Sequence, residues 1–244
     1  MRDITLDKII ELDGKMLPIN TQGKGMGCYV EVLKVIDEQL MAMLSYHNKV
    51  LMVRVDIHMS PDFIASNNSV MTFYTSKMRK WAQQNYDAKR LGFVWVRELC
   101  TSKKVHYHVI IMFDGNKLQD HREITAKSVQ IAENFSDKGY DYVPNNLKDC
   151  FHMIHRGNKL EYNTAFRHAS YLAKERTKDK KHLSAKGKNY SASEIQPNIK
   201  RDKKELFTAD DKVMTEFNKS VKFMLKWSKN LHNSKIIRTF ALSN

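Results

Sequence analysis

The stretch GFVWVRELCTSKKVHYHVIIMF, residues 92–113, contains two runs rich in β-branched and aromatic residues, separated by the short polar sequence TSKK. Two such runs joined by a few polar residues are typical of an antiparallel hairpin. In the second run His106 and His108 are two residues apart, so both imidazoles lie on the same face of the predicted strand. A short hairpin also brings Glu98 opposite this pair. The sequence therefore predicts a strand face that carries two imidazoles and a carboxylate.

The surrounding segments predict an α+β fold. Residues 49–59 alternate apolar and polar side chains, which indicates a strand with Arg54, Asp56 and His58 on one face. Apolar residues at helical spacing and one short apolar run predict the remaining elements. These are helices over 29–46, 69–90, 121–136 and 161–176 and a strand over 150–155. This order favours an antiparallel sheet covered by helices over a doubly wound parallel sheet.

We expect four segments along the chain. From residue 182 the composition shifts to Lys, Ser, Asn and Gly with little periodic apolar content, which is typical of a mobile connection. The segments are a helical N-terminal extension packed on the core (1–48), the core (49–181), a basic flexible loop (182–206) and a C-terminal helix and tail (207–244).

The chain is strongly basic. Its 244 residues include 41 Lys and Arg against 27 Asp and Glu, a net charge of +14, and residues 166–206 hold 12 and 5 of these, a net +7. Such a surplus attracts polyanions, nucleic acid first, although a lysine-rich run can also be a solvated face. Apolar runs are too short for a signal peptide or a membrane span, and three scattered cysteines suggest no disulfide framework. We therefore expect a cytoplasmic protein that does not bind membranes.

Two motifs indicate chemistry. Two imidazoles with the carboxylate of Glu98 suit Mn²⁺ or another divalent ion, and less naturally Mg²⁺; the alternative is that the histidines are ordinary packed residues. The predicted helix FRHASYLAKERTK (166–178) places Tyr171 and Lys174 on one face. A phenol is a weak nucleophile and needs a nearby cation to attack a phosphate. The alternative for this helix is a packed ring beside a lysine that reaches solvent.

Taken together, the motifs resemble those of the HUH endonuclease superfamily of rolling-circle replication initiators. Their residue patterns are similar to those of the inovirus-type and prophage-encoded branch. The similar motifs are LMVRVDIHMS (51–60), VHYHVIIMF (105–113) and SYLAKERTK (170–178), and the resemblance covers roughly residues 49–178. It implies a five-stranded antiparallel sheet with the histidines on a central strand and the tyrosine helix across it.

The resemblance also implies roles. His106 and His108 bind Mn²⁺ or Mg²⁺ with Glu98 as third ligand, or Glu175 in its place; Tyr171 attacks a DNA phosphate and Lys174 assists. The product is a 5′-phosphotyrosine and a free 3′-hydroxyl, and the reaction can reverse to rejoin DNA. Asp56 and His58 match the first motif without an assigned role, and Tyr162 does not share the helical face of Tyr171.

The expected partner is single-stranded or hairpin origin DNA; the sequence leaves the oligomeric state open and favours a monomer. We expect DNA contacts from Arg54, Arg167, Lys178, Lys180, Lys181, Lys186 and Lys188. The chain has no phosphate-binding G-x-x-x-x-G-K-[ST] motif, so unwinding and synthesis need a host helicase and polymerase. Two alternatives stay open: a DNA-binding regulator without catalysis, and a metal-dependent phosphodiesterase in which water attacks.

Overall fold

The strand that carries the two histidines lies at the centre of the sheet in the computed structural model. The structure describes residues 3–21, 26–59, 68–99, 105–133, 150–175 and 189–200. The chain divides into two units, 1–207 and 208–244, and all described residues belong to the first. The predicted C-terminal helix and tail therefore lie outside the described residues.

Nine strands and four α-helices make up the described part of the chain. In chain order they are β1 (Ile4–Thr5), β2 (Ile9–Leu12), β3 (Lys15–Pro18), β4 (Cys28–Tyr29), α1 (Val30–Tyr46), β5 (Lys49–His58), α2 (Ser69–Tyr86), β6 (Gly92–Leu99), β7 (Val105–Asp114), α3 (His121–Glu133), β8 (Phe151–His155), α4 (Lys159–Ala169), a 3-10 helix (Ser170–Ala173) and β9 (Tyr190–Ala192). None of the helices in these ranges is both long and apolar enough to span a membrane.

The main sheet has five strands in the order β8-β5-β7-β6-β9, and every neighbouring pair is antiparallel. The prediction of an α+β fold with a five-stranded antiparallel sheet flanked by helices is therefore confirmed. On β7, His106 lies opposite His58 of β5 and Glu98 of β6, and His108 lies opposite Asp56. This register brings the polar residues of three strands to one end of one sheet face.

The two faces of the sheet differ because side chains alternate along each strand. Val53, Ile57 and Tyr107 point into a core with α2 and α3, where the Tyr107 ring meets Trp95 edge-on at 5.9 Å between centroids. Residues on the other face, such as Met52 and Ile110, pack on α1 and α4. The histidines share this second face, where the ring of His108 lies against Tyr171 of the 3-10 helix.

Several elements differ from the prediction. Residues 1–48, expected to be helical, begin with four short strands, and β2 and β3 are joined at Asp13 and Gly14, whose φ angles are 48° and 73°. An Asp-Gly pair with positive φ at both positions is a standard two-residue hairpin turn. Strand β9 pairs with β6 from within the segment expected to be a flexible loop.

The predicted helix over 161–176 is also divided. The α-helix ends at Ala169, and Tyr171 lies on the 3-10 helix that follows. The Ser170 hydroxyl accepts a hydrogen bond from the backbone N–H of Asn20 at 2.8 Å. The backbone N–H of Glu175 donates to the Gly27 carbonyl at 3.0 Å. The tyrosine segment is thus attached to the N-terminal strands on both sides of Tyr171.

Candidate active site

His108 is the centre of a hydrogen-bonded cluster. Its Nδ1 lies 2.7 Å from Asp56 Oδ1 and its Nε2 lies 3.2 Å from Glu98 Oε2. An ionised carboxylate only accepts, so each of these ring nitrogens donates to its carboxylate when it carries a proton. Burial alone would lower the pKa of His108, but its hydrogen bonds to Asp56 and Glu98 raise it above the usual value.

Arg54 also binds Asp56. Its Nε and Nη2 donate to the two carboxylate oxygens at 3.0 and 2.7 Å, which is the bidentate geometry that guanidinium and carboxylate groups favour. Burial by itself would raise the pKa of Asp56, yet the hydrogen bond and charge of His108, with those of Arg54, lower it to about 2. Asp56 is therefore a fixed negative charge that orients His108.

His106 has a second imidazole as its hydrogen-bond partner. Its Nδ1 lies 3.2 Å from His58 Nδ1, and the two rings meet edge to face with centroids 4.7 Å apart. Burial, followed by the charges of His58 and His108, lowers the pKa of His106. The His106 and His108 rings are nearly parallel, with centroids 6.3 Å apart.

The ring of Tyr171 lies against this cluster. It meets the His108 ring edge-on, with centroids 5.4 Å apart. Arg54 Cζ lies 4.0 Å and Lys174 Nζ 3.4 Å from the Tyr171 ring centroid. Two cations beside an aromatic ring stabilise its position through cation–π attraction.

Lys174 is buried, with 7% of its surface exposed. Burial, and then the charge of Arg54, lower the pKa of Lys174 to about 8. The backbone of Lys174 forms an isolated antiparallel bridge with Cys28. Gly27, next to this bridge, has no room for a side chain because a Cβ there would collide with Ile4 Cγ2 and lie 3.3 Å from Glu175 Oε2.

The donor chemistry of the cluster fits a divalent cation. Two donors bound to one ion at about 2.1 Å lie roughly 3 Å apart, and His108 Nε2 and Glu98 Oε2 are separated by 3.2 Å. In the described ranges no three His, Cys, Asp or Glu side chains are already grouped as a metal site. Of the three ligands expected from sequence, His108 and Glu98 are in contact, and the ring of His106 lies 6.3 Å from that of His108 between centroids. Two carboxylates were considered as the third ligand. Glu98 contacts His108, whereas the Glu175 side chain lies beside Gly27.

The other expected site residues are placed as follows. Arg54 belongs to the cluster, whereas Arg167 is exposed in the last turn of α4. Tyr162 is fully buried and donates to Asp37 Oδ1 at 2.6 Å, so it is a core residue, and burial raises its pKa well above the usual value. The five expected DNA-binding lysines lie outside the described residues; they are Lys178, Lys180, Lys181, Lys186 and Lys188.

The partners of the histidines, Asp56 and His58, received no role from sequence. The alternation of β5 had indicated that they share a face, but it could not show which strand lies beside them.

Fold and site together define an α+β domain with a histidine and carboxylate cluster beside a tyrosine on one face of an antiparallel sheet. The family model of the YagK/YfjJ C-terminal domain matches residues 14–189, and the chain belongs to this family. No curated protein and no solved structure shows a significant match to the chain.

Proposed function

We propose that this domain is an HUH-type endonuclease that nicks and rejoins single-stranded DNA, with Tyr171 as the nucleophile. The observation that carries the proposal is the Tyr171 ring, which lies 5.4 Å from the ring of His108 with Arg54 and Lys174 beside it. A nucleophile, two cations and candidate metal ligands therefore share one face. The central position of β7 supports the same proposal, since the resemblance implied histidines on a central strand.

The proposed reaction is a phosphoryl transfer. The Tyr171 oxygen bonds to phosphorus as the bond to the preceding 3′ oxygen breaks, and the phenolic proton ends on that oxygen as the new 3′-hydroxyl. His106, His108 and Glu98 would hold a divalent cation, which would supply Lewis-acid polarisation of the phosphate. Arg54 and Lys174 compensate negative charge on the phosphate oxygens. Asp56 holds the His108 ring in place. Reversal by a 3′-hydroxyl rejoins the strand and frees Tyr171.

The direct test is formation of a covalent adduct. The protein is incubated with Mn²⁺ and a pool of single-stranded oligonucleotides labelled at the 3′ end, because the fragment on the 3′ side of the nick stays on the tyrosine. Wild-type protein is expected to form a labelled adduct that resists denaturing electrophoresis, and Tyr171→Phe is expected to form none. Tyr86→Phe is the matched control, since Tyr86 ends α2 and packs on the opposite side of the sheet.

Other results would favour the alternatives. Cleavage that survives Tyr171→Phe and disappears in His106→Ala indicates a phosphodiesterase that uses water. Binding that weakens steeply with salt, without cleavage in Mn²⁺ or Mg²⁺, indicates a regulator. An adduct that persists in Tyr171→Phe contradicts the choice of nucleophile. For an active nickase the partners would be origin DNA with a host helicase and polymerase.

A further inference from the structure

Strand β5 supplies one hydrogen-bond partner for each histidine of β7. Asp56 is bonded to Nδ1 of His108, and His58 to Nδ1 of His106. Both are directly opposite pairs in the β5 and β7 register, so the backbone ladder holds each partner close to its ring. In both rings Nδ1 is directed to β5, and Nε2 is the remaining nitrogen.

The bond between His58 and His106 constrains the protons. A neutral imidazole has one N–H donor and one acceptor nitrogen, so a contact between two Nδ1 atoms needs the proton on one of them only. If His106 Nδ1 donates, its Nε2 carries a lone pair, and His58 accepts at Nδ1 with its own proton on Nε2. A ligating histidine needs this arrangement, with one nitrogen on the metal and the other donating to a partner.

We propose that His58 is a positioning residue, which accepts a hydrogen bond from His106 Nδ1 and so fixes the tautomer and ring orientation that present His106 Nε2 to the divalent cation. The inference rests on the proposed function, because it assigns His58 to the same metal site. It also gives a reason for a histidine at this position. An acceptor is needed, and a neutral ring provides it without adding a third negative charge beside Asp56 and Glu98, where DNA phosphate has to approach.

Two substitutions separate the hydrogen bond from the shape of the ring. His58→Asn places a side-chain oxygen near the former Nδ1 position and keeps an acceptor. His58→Phe keeps a ring and removes the acceptor. His155→Phe is the matched control, because the His155 side chain is 54% exposed at the end of β8. Mn²⁺ affinity of the full chain is measured without DNA, from the electron paramagnetic resonance of the free ion.

We expect His58→Phe to weaken Mn²⁺ binding about 10- to 100-fold, as is usual when the partner of a ligating histidine is removed. The Mn²⁺ affinity of His58→Asn should stay within a few-fold of the wild-type value. The Mn²⁺ affinity of His155→Phe should equal the wild-type value. The tautomers are read independently from long-range ¹H–¹⁵N spectra of metal-free protein with ¹⁵N-labelled histidine. Wild-type His106 should carry its proton on Nδ1, and His58→Phe should move proton population to Nε2.

The outcomes distinguish the two proposals. Mn²⁺ binding that is equal in wild type and His58→Phe overturns the role of His58 and leaves the nickase proposal standing. A wild-type His106 protonated on Nε2 also overturns it, whether or not the variants fold. Weakened Mn²⁺ binding in His58→Phe without any tyrosine adduct in wild type supports the role of His58 and refutes the nickase. A wild-type protein that binds no Mn²⁺ refutes both.

Discussion

Asp56→Asn tests how much the charged cluster contributes to stability. The pKa of Asp56 lies at about 2 instead of its ordinary value of 3.8. Each pKa unit corresponds to about 1.4 kcal/mol. The difference between the folded-state and ordinary pKa values of Asp56 therefore contributes about 2 kcal/mol to the free energy of unfolding. Asn keeps an oxygen that can accept from His108, but it removes the charge and its NH2 group cannot accept from Arg54 Nη2. We therefore expect Asp56→Asn to unfold about 2 kcal/mol more easily at pH 6.

The pH dependence has a definite sign. The folded-state pKa of Asp56 is depressed, so its contribution is present above pH 3.8 and is lost as the pH falls from about 4 to 2. The pKa of His108 is raised in the folded state. The stabilisation from its interaction with Asp56 is therefore present below pH 6.5 and is lost as the pH rises through the folded-state pKa of His108. The difference between wild type and Asp56→Asn should be largest between these limits.

Urea denaturation of both proteins from pH 3 to 8 measures this difference. Asp120→Asn is the control, because Asp120 is also paired with an arginine, Arg122, but lies at the surface where solvent screens the pair. Asn also caps a helix as well as Asp does, so the start of α3 is retained. The reasoning fails if Asp56→Asn loses no more stability than Asp120→Asn at pH 6, or if the loss does not shrink toward pH 3.

Three further predictions concern the tyrosine and DNA. Burial and Arg54 lower the pKa of Lys174 to about 8, so wild-type adduct formation should slow above that pH. Lys174→Arg stays charged, so its adduct formation should not slow there. Identical pH profiles of the adduct rate in the two proteins would refute a cationic role for Lys174. Gly27→Val should separate β4 from Lys174, because a side chain at this position collides with Ile4. We expect the melting temperature to fall by several degrees and the adduct rate to fall at least tenfold. An unchanged adduct rate would show that this attachment does not position Tyr171. Neutralising five lysines of the basic segment should reduce the slope of log affinity for single-stranded DNA against log salt by up to about 0.7 per lost contact. Mn²⁺ affinity should stay unchanged. An unchanged slope would show that these lysines form a solvated face. They are Lys178, Lys180, Lys181, Lys186 and Lys188.

Four of the five strands of the central sheet, β5 to β8, could be predicted because their sequence patterns are local. Alternation over residues 49–59 assigns Arg54, Asp56 and His58 to one face, and the same rule places His106 and His108 together. Helix α1, expected over 29–46, is observed at Val30–Tyr46. The hairpin of β6 and β7 places Glu98 opposite His106, as the short connection indicated.

The remaining features depend on contacts between segments far apart in sequence. The two-residue strands β1 and β4 pair with each other and are too short to show a periodic pattern. Strand β9 has three residues and is defined by its pairing with β6. The α-helix ends before Tyr171 where Asn20 and Gly27 hold the chain, which no helical pattern reveals. The Asp13-Gly14 turn was readable, since Asp-Gly between apolar runs is a strong hairpin signal.

The different packing partners of the two sheet faces limit how the gene can change in length. Deleting or inserting one codon within β7 would transfer the side chains beyond that point to the opposite face, and a histidine would meet the core under α2 and α3 instead of Tyr171. The same holds for β5, whose partners must stay opposite both histidines. Insertions and deletions compatible with the site are therefore confined to the connections between strands, even where single substitutions inside a strand are tolerated.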